Sequence, residues 1–247
     1  MSDHSYFQRR SQIESYFDRT AAEAWERLTS DAPVSGVRAT VRAGRQAMRE
    51  LMAGWLFDRL GRQEPNGQWR THPLEAITVL DAGCGTGLLA VDLARQGAQV
   101  LATDLSPKLI AVAQRRCPHD LSPGSICFEA GDMLDPRLGR FDALMAMDSL
   151  IHYAPEQAMA AISAFAPRIR RSMIVTFVPR TPLLMAMMAV GRLFPRSDRS
   201  PAVVPMSESW LRQAIEQAPA LQDWKIGRVQ RISKGFYTST ALELIRS

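Results

Sequence analysis

The sequence lacks any apolar run near the roughly 18 residues that span a bilayer, and its opening MSDHSYFQRR has no apolar stretch of the kind an export signal carries. A chain that is neither exported nor membrane-spanning is expected. Cysteine is scarce: Cys84, Cys117 and Cys127 form an odd set without CxxC spacing, which argues against a disulfide framework and a zinc site and fits a reducing cytoplasm. No protein-bound metal is expected. Internal repeats and low-complexity tracts are missing too. The charge excess is small, with 30 Lys and Arg against 25 Asp and Glu. It suits nucleic acid, an anionic membrane surface or an acidic small molecule, and no nucleic-acid motif accompanies it, so nucleic acid is not expected. What is present is a 46% apolar share over 247 residues, ordinary for one sizeable globular domain with extra elements.

Apolar residues recur at helical spacing through Ile13, Tyr16, Phe17, Ala21, Ala24, Trp25 and Leu28, and again through Val37, Val41, Met48, Leu51, Met52, Trp55 and Leu56. Two amphipathic helices are therefore predicted ahead of the core. Residues 61–73, GRQEPNGQWRTHP, read as a linker. Short apolar runs at 77–81, 99–104, 126–132, 141–148 and 173–178 then alternate with helical stretches from Leu88, Pro107 and Pro155, the pattern of an α/β fold with a parallel sheet. Residues 224–232 and 237–244 follow each other closely and suggest a closing antiparallel pair. The predicted layout is one domain: a helical extension and linker at 1–73, a core at 74–178, an apolar insertion at 179–206, and a helix with the strand pair at 207–247.

In ITVLDAGCGTGLLAVDLA a strand runs into Gly83, Gly85 and Gly87 and then a helix, so backbone amides and a helix N-terminus are expected to face a ligand at the carboxyl edge of the sheet. A dinucleotide fingerprint needs a third glycine where Leu88 stands. Asp81, just before the loop, repels a pyrophosphate but suits the ammonium of a methionine group. Asp104 ends the second run, 23 residues on, and is placed to accept from both ribose hydroxyls. Asp132 is assigned to the adenine amino group, with Leu105 and Met133 flanking the ring. Asp148 and Ser149 close the fourth run beside the methionine end, and Cys84 lies inside the glycine loop.

This ordered series resembles the class I S-adenosylmethionine methyltransferases over roughly residues 74–247. The resemblance implies a Rossmann-like fold with a seven-stranded, mostly parallel sheet in order 3-2-1-4-5-7-6, strand 7 antiparallel. It also implies S-adenosyl-L-methionine as cofactor and S-adenosyl-L-homocysteine as product. Where a nucleic-acid amino methyltransferase carries an NPPY-type motif, this chain has MDSLIHYAP.

A narrower resemblance rests on YFDRTAAEAWERL at 16–28, VRATVRAGRQAMR at 37–49, DAGCGTGLL, MDSLIHY at 147–153, and TFVPRTPLL with GRLFPRSDRSP at 176–201. Together these are similar to the magnesium-protoporphyrin IX methyltransferase family of chlorophyll and bacteriochlorophyll biosynthesis. The resemblance implies methyl esterification of one propionate of the magnesium porphyrin, the magnesium arriving with the substrate. It matches His152 and Tyr16 to residues taken as functional in the family. A carboxylate near pKa 4.3 is already ionised at neutral pH, so His152 is expected to orient the propionate, with proton removal secondary. Arg38, Arg42, Arg45 and Arg49 share one helix face and suit a substrate or cofactor carboxylate. The segment Leu183–Phe194, including Met185 and Phe194, is expected to act with the first helix as an apolar lid over the macrocycle. The resemblance further suggests transient contact with the large porphyrin-binding subunit of magnesium chelatase, and peripheral association with the photosynthetic membrane. Two other readings stay open at this stage: a quinone or phenol O-methyltransferase, and a cofactor-binding scaffold without chemistry.

Overall fold

A computed structural model describes residues 3–18, 26, 29, 36–182, 184–185 and 203–247. Seven strands form one sheet: β1 (Thr78–Ala82), β2 (Gln99–Asp104), β3 (Ser125–Ala130), β4 (Phe141–Ala146), β5 (Ile169–Phe177), β6 (Trp224–Lys234) and β7 (Tyr237–Arg246). Their order is β3-β2-β1-β4-β5-β7-β6, with β1 to β5 parallel to one another and β7 antiparallel to both β5 and β6. The expected topology is the observed one. The helices are α1 (Asp3–Tyr16), α2 (Val37–Leu60), α3 (Leu88–Arg95), α4 (Pro107–Arg116), α5 (Pro155–Phe165) and α6 (Glu208–Gln217).

Alternation along each central strand divides the core into two layers. Leu80, Leu144, Met173, Val175 and Leu242 point to the side covered by α5 and α6, whereas Val79, Ala143, Met145, Ile174 and Ala241 meet α2 and α3. A sheet covered on both faces explains why these strands read as continuous apolar runs rather than as alternating ones. Helix starts follow local chemistry: the Ser106 hydroxyl accepts from Leu109 N–H, with Pro107 opening α4, and Ser207 caps α6 through Trp210 N–H.

Two boundaries and the content of one linker differ from expectation. The first helix starts at Asp3 rather than near Ile13, while Ala21, Ala24, Trp25 and Leu28 lie outside the described residues. Strand β5 begins at Ile169, its polar start IRRS carrying no apolar signal. The linker at 61–73 holds a bridge between Gln63 and Trp69, and the Trp69 ring lies 4.3 Å from that of Phe57 at a tilt of 50°, so an aromatic contact anchors this polar stretch.

Outside the site, one buried charge joins the layers. Glu243 on β7 is fully buried, and both its oxygens accept from Arg59 of α2 (3.2 and 3.3 Å) and from Arg228 of β6 (2.9 and 3.0 Å). Room for this comes from Gly227, where a Cβ would lie 2.7 Å from Glu243 Oε2, beside a register shift between Ile226 and Val229. Burial raises the Glu243 pKa, but the arginine hydrogen bonds outweigh it and the net shift is downward.

Candidate active site

The carboxyl ends of β1, β2 and β4 open into a cavity of about 250 Å³ whose walls include Asp81, Gly83, Cys84, Gly85, Asp104, Leu105, Asp132, Met133, Asp148, Ser149 and His152. Gly87 is not among the lining residues. This is the edge where ligands bind in open α/β sheets. Gly83, Gly85 and Gly87 all have positive φ (82°, 57° and 78°). At Gly83 a Cβ would overlap Ser149, and at Gly87 it would sit 2.8 Å from the Phe128 ring.

The loop amides correct one expectation. Gly83 and Cys84 N–H both donate to Thr103 O (2.8 and 3.0 Å), Gly85 N–H to Asp104 Oδ2 (2.9 Å) and Gly87 N–H to Cys84 O (3.0 Å). These donors are satisfied inside the protein and do not form an anion cradle. The glycines shape the wall and leave the electrostatics to carboxylates, which suits a cationic ligand better than a pyrophosphate.

Asp81 is 1% exposed at the end of β1, and its Oδ2 has no hydrogen-bond partner among the described residues. Burial, reinforced by the negative charge of Asp104, pushes its pKa up to about 7, while a backbone bond from Ala90 pulls the other way. A buried carboxylate oxygen without a partner is costly unless a ligand supplies a donor, and an ammonium fits. Asp104 accepts from the N–H groups of Gly85 and Ser106, each at 2.9 Å; burial raises its pKa and those two bonds lower it.

Asp132 meets partners that no sequence pattern revealed. Its carboxylate accepts from Tyr6 Oη (3.0 Å), Arg10 Nη1 (2.9 Å) and Leu134 N–H (2.9 Å). Tyr6 is buried and stacks on Tyr153 with centroids 5.6 Å apart, and burial, then the nearby Tyr153 and Asp132, raises its pKa. Arg9 Nε donates to His152 O at 2.6 Å, so α1 grips both the third and the fourth strand ends. Farther on, the Asp18 carboxylate accepts from Ser106 Oγ (3.3 Å) and Lys108 N–H (3.2 Å) at the start of α4.

Asp148 has φ of 54°, a left-handed conformation uncommon for aspartate. Its N–H donates to Thr176 Oγ1 at 2.7 Å, and its carboxylate accepts from Arg45 (2.6 Å), Tyr237 (3.1 Å), Ser239 (3.2 Å) and Thr176 (3.3 Å). Four side chains from α2, β5 and β7 thus hold it. Gly44 lets α2 approach, because a Cβ there would overlap the Tyr237 ring. No sequence pattern marks Tyr237 and Ser239 as site residues; their period-two spacing signals only a shared strand face.

The remaining expected residues divide. His152 is 7% exposed, lines the cavity and meets the Phe17 ring edge-on at 5.7 Å. Tyr16 is half-buried, packs edge-on against Phe17 at 5.2 Å, and is not among the lining residues. Arg42, Arg45 and Arg49 line the cavity, Arg49 pairing with Asp92 at 2.6 Å, whereas Arg38 is exposed at the start of α2. Met185 is exposed and outside the lining, and Phe194 lies outside the described residues, as does most of the predicted lid.

Comparison with known proteins agrees with this geometry. A family profile described as magnesium-protoporphyrin IX methyltransferase C-terminus matches residues 146–246, and a methyltransferase-domain profile matches residues 79–171. The chain is 41% identical to a magnesium-protoporphyrin O-methyltransferase of Rhodobacter capsulatus over 96% of its own length and 97% of the relative's. It is 29% identical to the chloroplastic magnesium protoporphyrin IX methyltransferase of Arabidopsis thaliana, over 94% of this chain and 70% of that one. The crystal structure of magnesium protoporphyrin IX methyltransferase from Synechocystis PCC 6803 with bound SAH superposes with a TM-score of 0.80 at 30% identity, covering 96% of this chain and 100% of that one.

Proposed function

Starting from the premise that the chain belongs to the magnesium-protoporphyrin O-methyltransferase family, we propose how its residues divide the labour of the reaction. The enzyme uses S-adenosyl-L-methionine to esterify one propionate of magnesium protoporphyrin IX, giving the monomethyl ester. When bound, the cofactor supplies an electrophilic methyl group on a sulfonium and leaves as S-adenosylhomocysteine. The single observation that carries the cofactor site is the buried, half-unpartnered carboxylate of Asp81.

Asp81 receives the ammonium of the methionine group, Asp104 the ribose hydroxyls, and Asp132 the adenine amino group, with Leu105 and Met133 against the ring. The glycine loop and Ser149 shape the wall, and Cys84 packs within it. Asp148 does not spend its carboxylate on the cofactor; it holds Arg45 at the cavity wall, where Arg45 and Arg42 attract the propionate. His152 orients that propionate. No strong base is needed, since the carboxylate arrives ionised. Carboxylate and sulfonium lose opposite charges as the methyl moves, so apolar walls such as Phe17, Leu89 and Met133 favour the transfer and exclude water. Tyr16 acts indirectly by backing Phe17.

No described helix is long and apolar enough to cross a membrane. The basic charge excess supports two parts of the proposal: peripheral association with the photosynthetic membrane and a transient encounter with the porphyrin-binding subunit of magnesium chelatase.

Purified protein given S-adenosylmethionine and magnesium protoporphyrin should form a product that alkali saponifies. The His152→Ala variant is expected to lose about ten- to fifty-fold in kcat, less than the 10²–10⁴ that removal of a general base costs. A larger loss, recovered at high pH, would return the proton-removal role to His152.

A further inference from the structure

The described residues enclose a cavity of about 250 Å³, at the small end for even one cofactor-sized ligand. A tetrapyrrole bound together with the cofactor must extend past its mouth. Along α2, Val37 precedes Arg45 by eight residues, about 12 Å of helix. That span is comparable with the reach from a propionate across the macrocycle.

At this outer end stand the two most exposed large hydrophobic side chains among the described residues, Phe236 at 62% and Val37 at 50%. Thr40 ties them together: its Oγ1 accepts from Phe236 N–H (3.3 Å) and donates to Val37 O (2.8 Å). Phe236 follows Gly235, whose φ of 57° makes the tight β6–β7 turn. Such turns favour small polar residues after the glycine, so a phenylalanine here has no purpose in the turn itself. The next residue, Tyr237, packs on Gly44 and donates to Asp148 in the cavity wall, which makes the tip a rigid extension of the site. Arg38 and Lys234 are exposed on the same two elements, and neither 36–49 nor 224–242 contains an acidic residue.

We propose that Phe236 and Val37, with Arg38 and Lys234 beside them, form the outer half of the substrate site. The apolar pair takes the face of the macrocycle left outside the cavity, and the two cations take its second carboxylate. The inference rests on the porphyrin reading above, and wild-type turnover, measured first, tests that reading separately. Phe236→Ser and the double variant Arg38→Ala/Lys234→Ala are each expected to raise KM for magnesium protoporphyrin about tenfold, with kcat and S-adenosylhomocysteine affinity unchanged. In Soret-band titrations the double variant should weaken the monomethyl ester equally, because that product keeps one carboxylate, and should leave the dimethyl ester unaffected. An unmoved KM overturns the proposal, and so does a parallel shift in S-adenosylhomocysteine affinity, which marks a structural role. Loss of binding to phosphatidylglycerol vesicles with KM unchanged assigns the patch to a membrane instead and overturns it too.

Discussion

Replacing Asp81 with asparagine should weaken S-adenosylhomocysteine binding about 30- to 100-fold in isothermal titration, the effect of trading a charge-assisted hydrogen bond in a buried site for a neutral one. The side chain keeps its shape, so the loss reports charge. The pH dependence follows from the raised pKa of about 7 in the ligand-free protein. An ammonium requires the carboxylate form, so affinity should rise about tenfold per pH unit up to about pH 7 and level off above it. In the asparagine variant that rising limb should vanish. Stability runs the other way. A folded-state pKa above the unfolded value means that ligand-free stability is full below about pH 4 and declines as pH rises through about 7. At pH 8 the ligand-free asparagine variant should therefore melt higher than wild type while showing little ligand-induced shift. Equal affinity at pH 6 and pH 8 in the wild type would falsify the assignment of Asp81 to the ammonium.

Arg228→Ala is expected to be the most damaging substitution away from the cavity. Glu243 is fully buried, and removing the Arg228 side chain leaves it one guanidinium, that of Arg59, and the backbone N–H of residue 228. The same change strips the guanidinium from above the Trp55 ring (5.0 Å) and from Trp55 O (2.7 Å). Breaking a buried ion pair from one side costs about 3–5 kcal/mol; because Arg228 is partly exposed, about 2–3 kcal/mol is expected in urea unfolding at pH 7. Glu243 has a lowered pKa, so the network's contribution is present above about pH 4.3 and lost as pH falls through the folded value. The gap between wild type and variant should narrow in acid. A double variant, Arg228→Leu with Glu243→Leu, should recover most of the loss, since the charges rather than the volume create the dependence. An undiminished gap in acid would contradict this account.

The legible parts of the chain share a physical origin. Strands β1 and β4 could be read because both faces are buried, which demands runs such as TVLDA and FDALMA. The glycine loop could be read because positive φ at Gly83, Gly85 and Gly87 restricts residue choice at a fixed spacing. Asp81, Asp104, Asp132 and Asp148 could be read because each ends or follows a strand. By contrast, the first two turns of α1 carry no apolar stripe: Tyr6 and Phe7 stand side by side in sequence among polar residues, so no helical period is legible there. The partners of Asp148 are equally hidden: Arg45 lies 103 residues away and Tyr237 lies 89.

What the sequence alone determined is the backbone conformation at the loop, the succession of strands and helices along the chain and the acidic set at the strand ends, because these depend on local φ preferences and on periodic burial; the order of the strands in the sheet came from the family resemblance. Only the tertiary structure decided what those groups face. It satisfied the loop amides internally, left Asp81 with an open oxygen, and gave Asp148 to Arg45, Tyr237, Ser239 and Thr176. Hydrogen bonding and desolvation are set by neighbours in space, and the chain brings those neighbours from both of its ends.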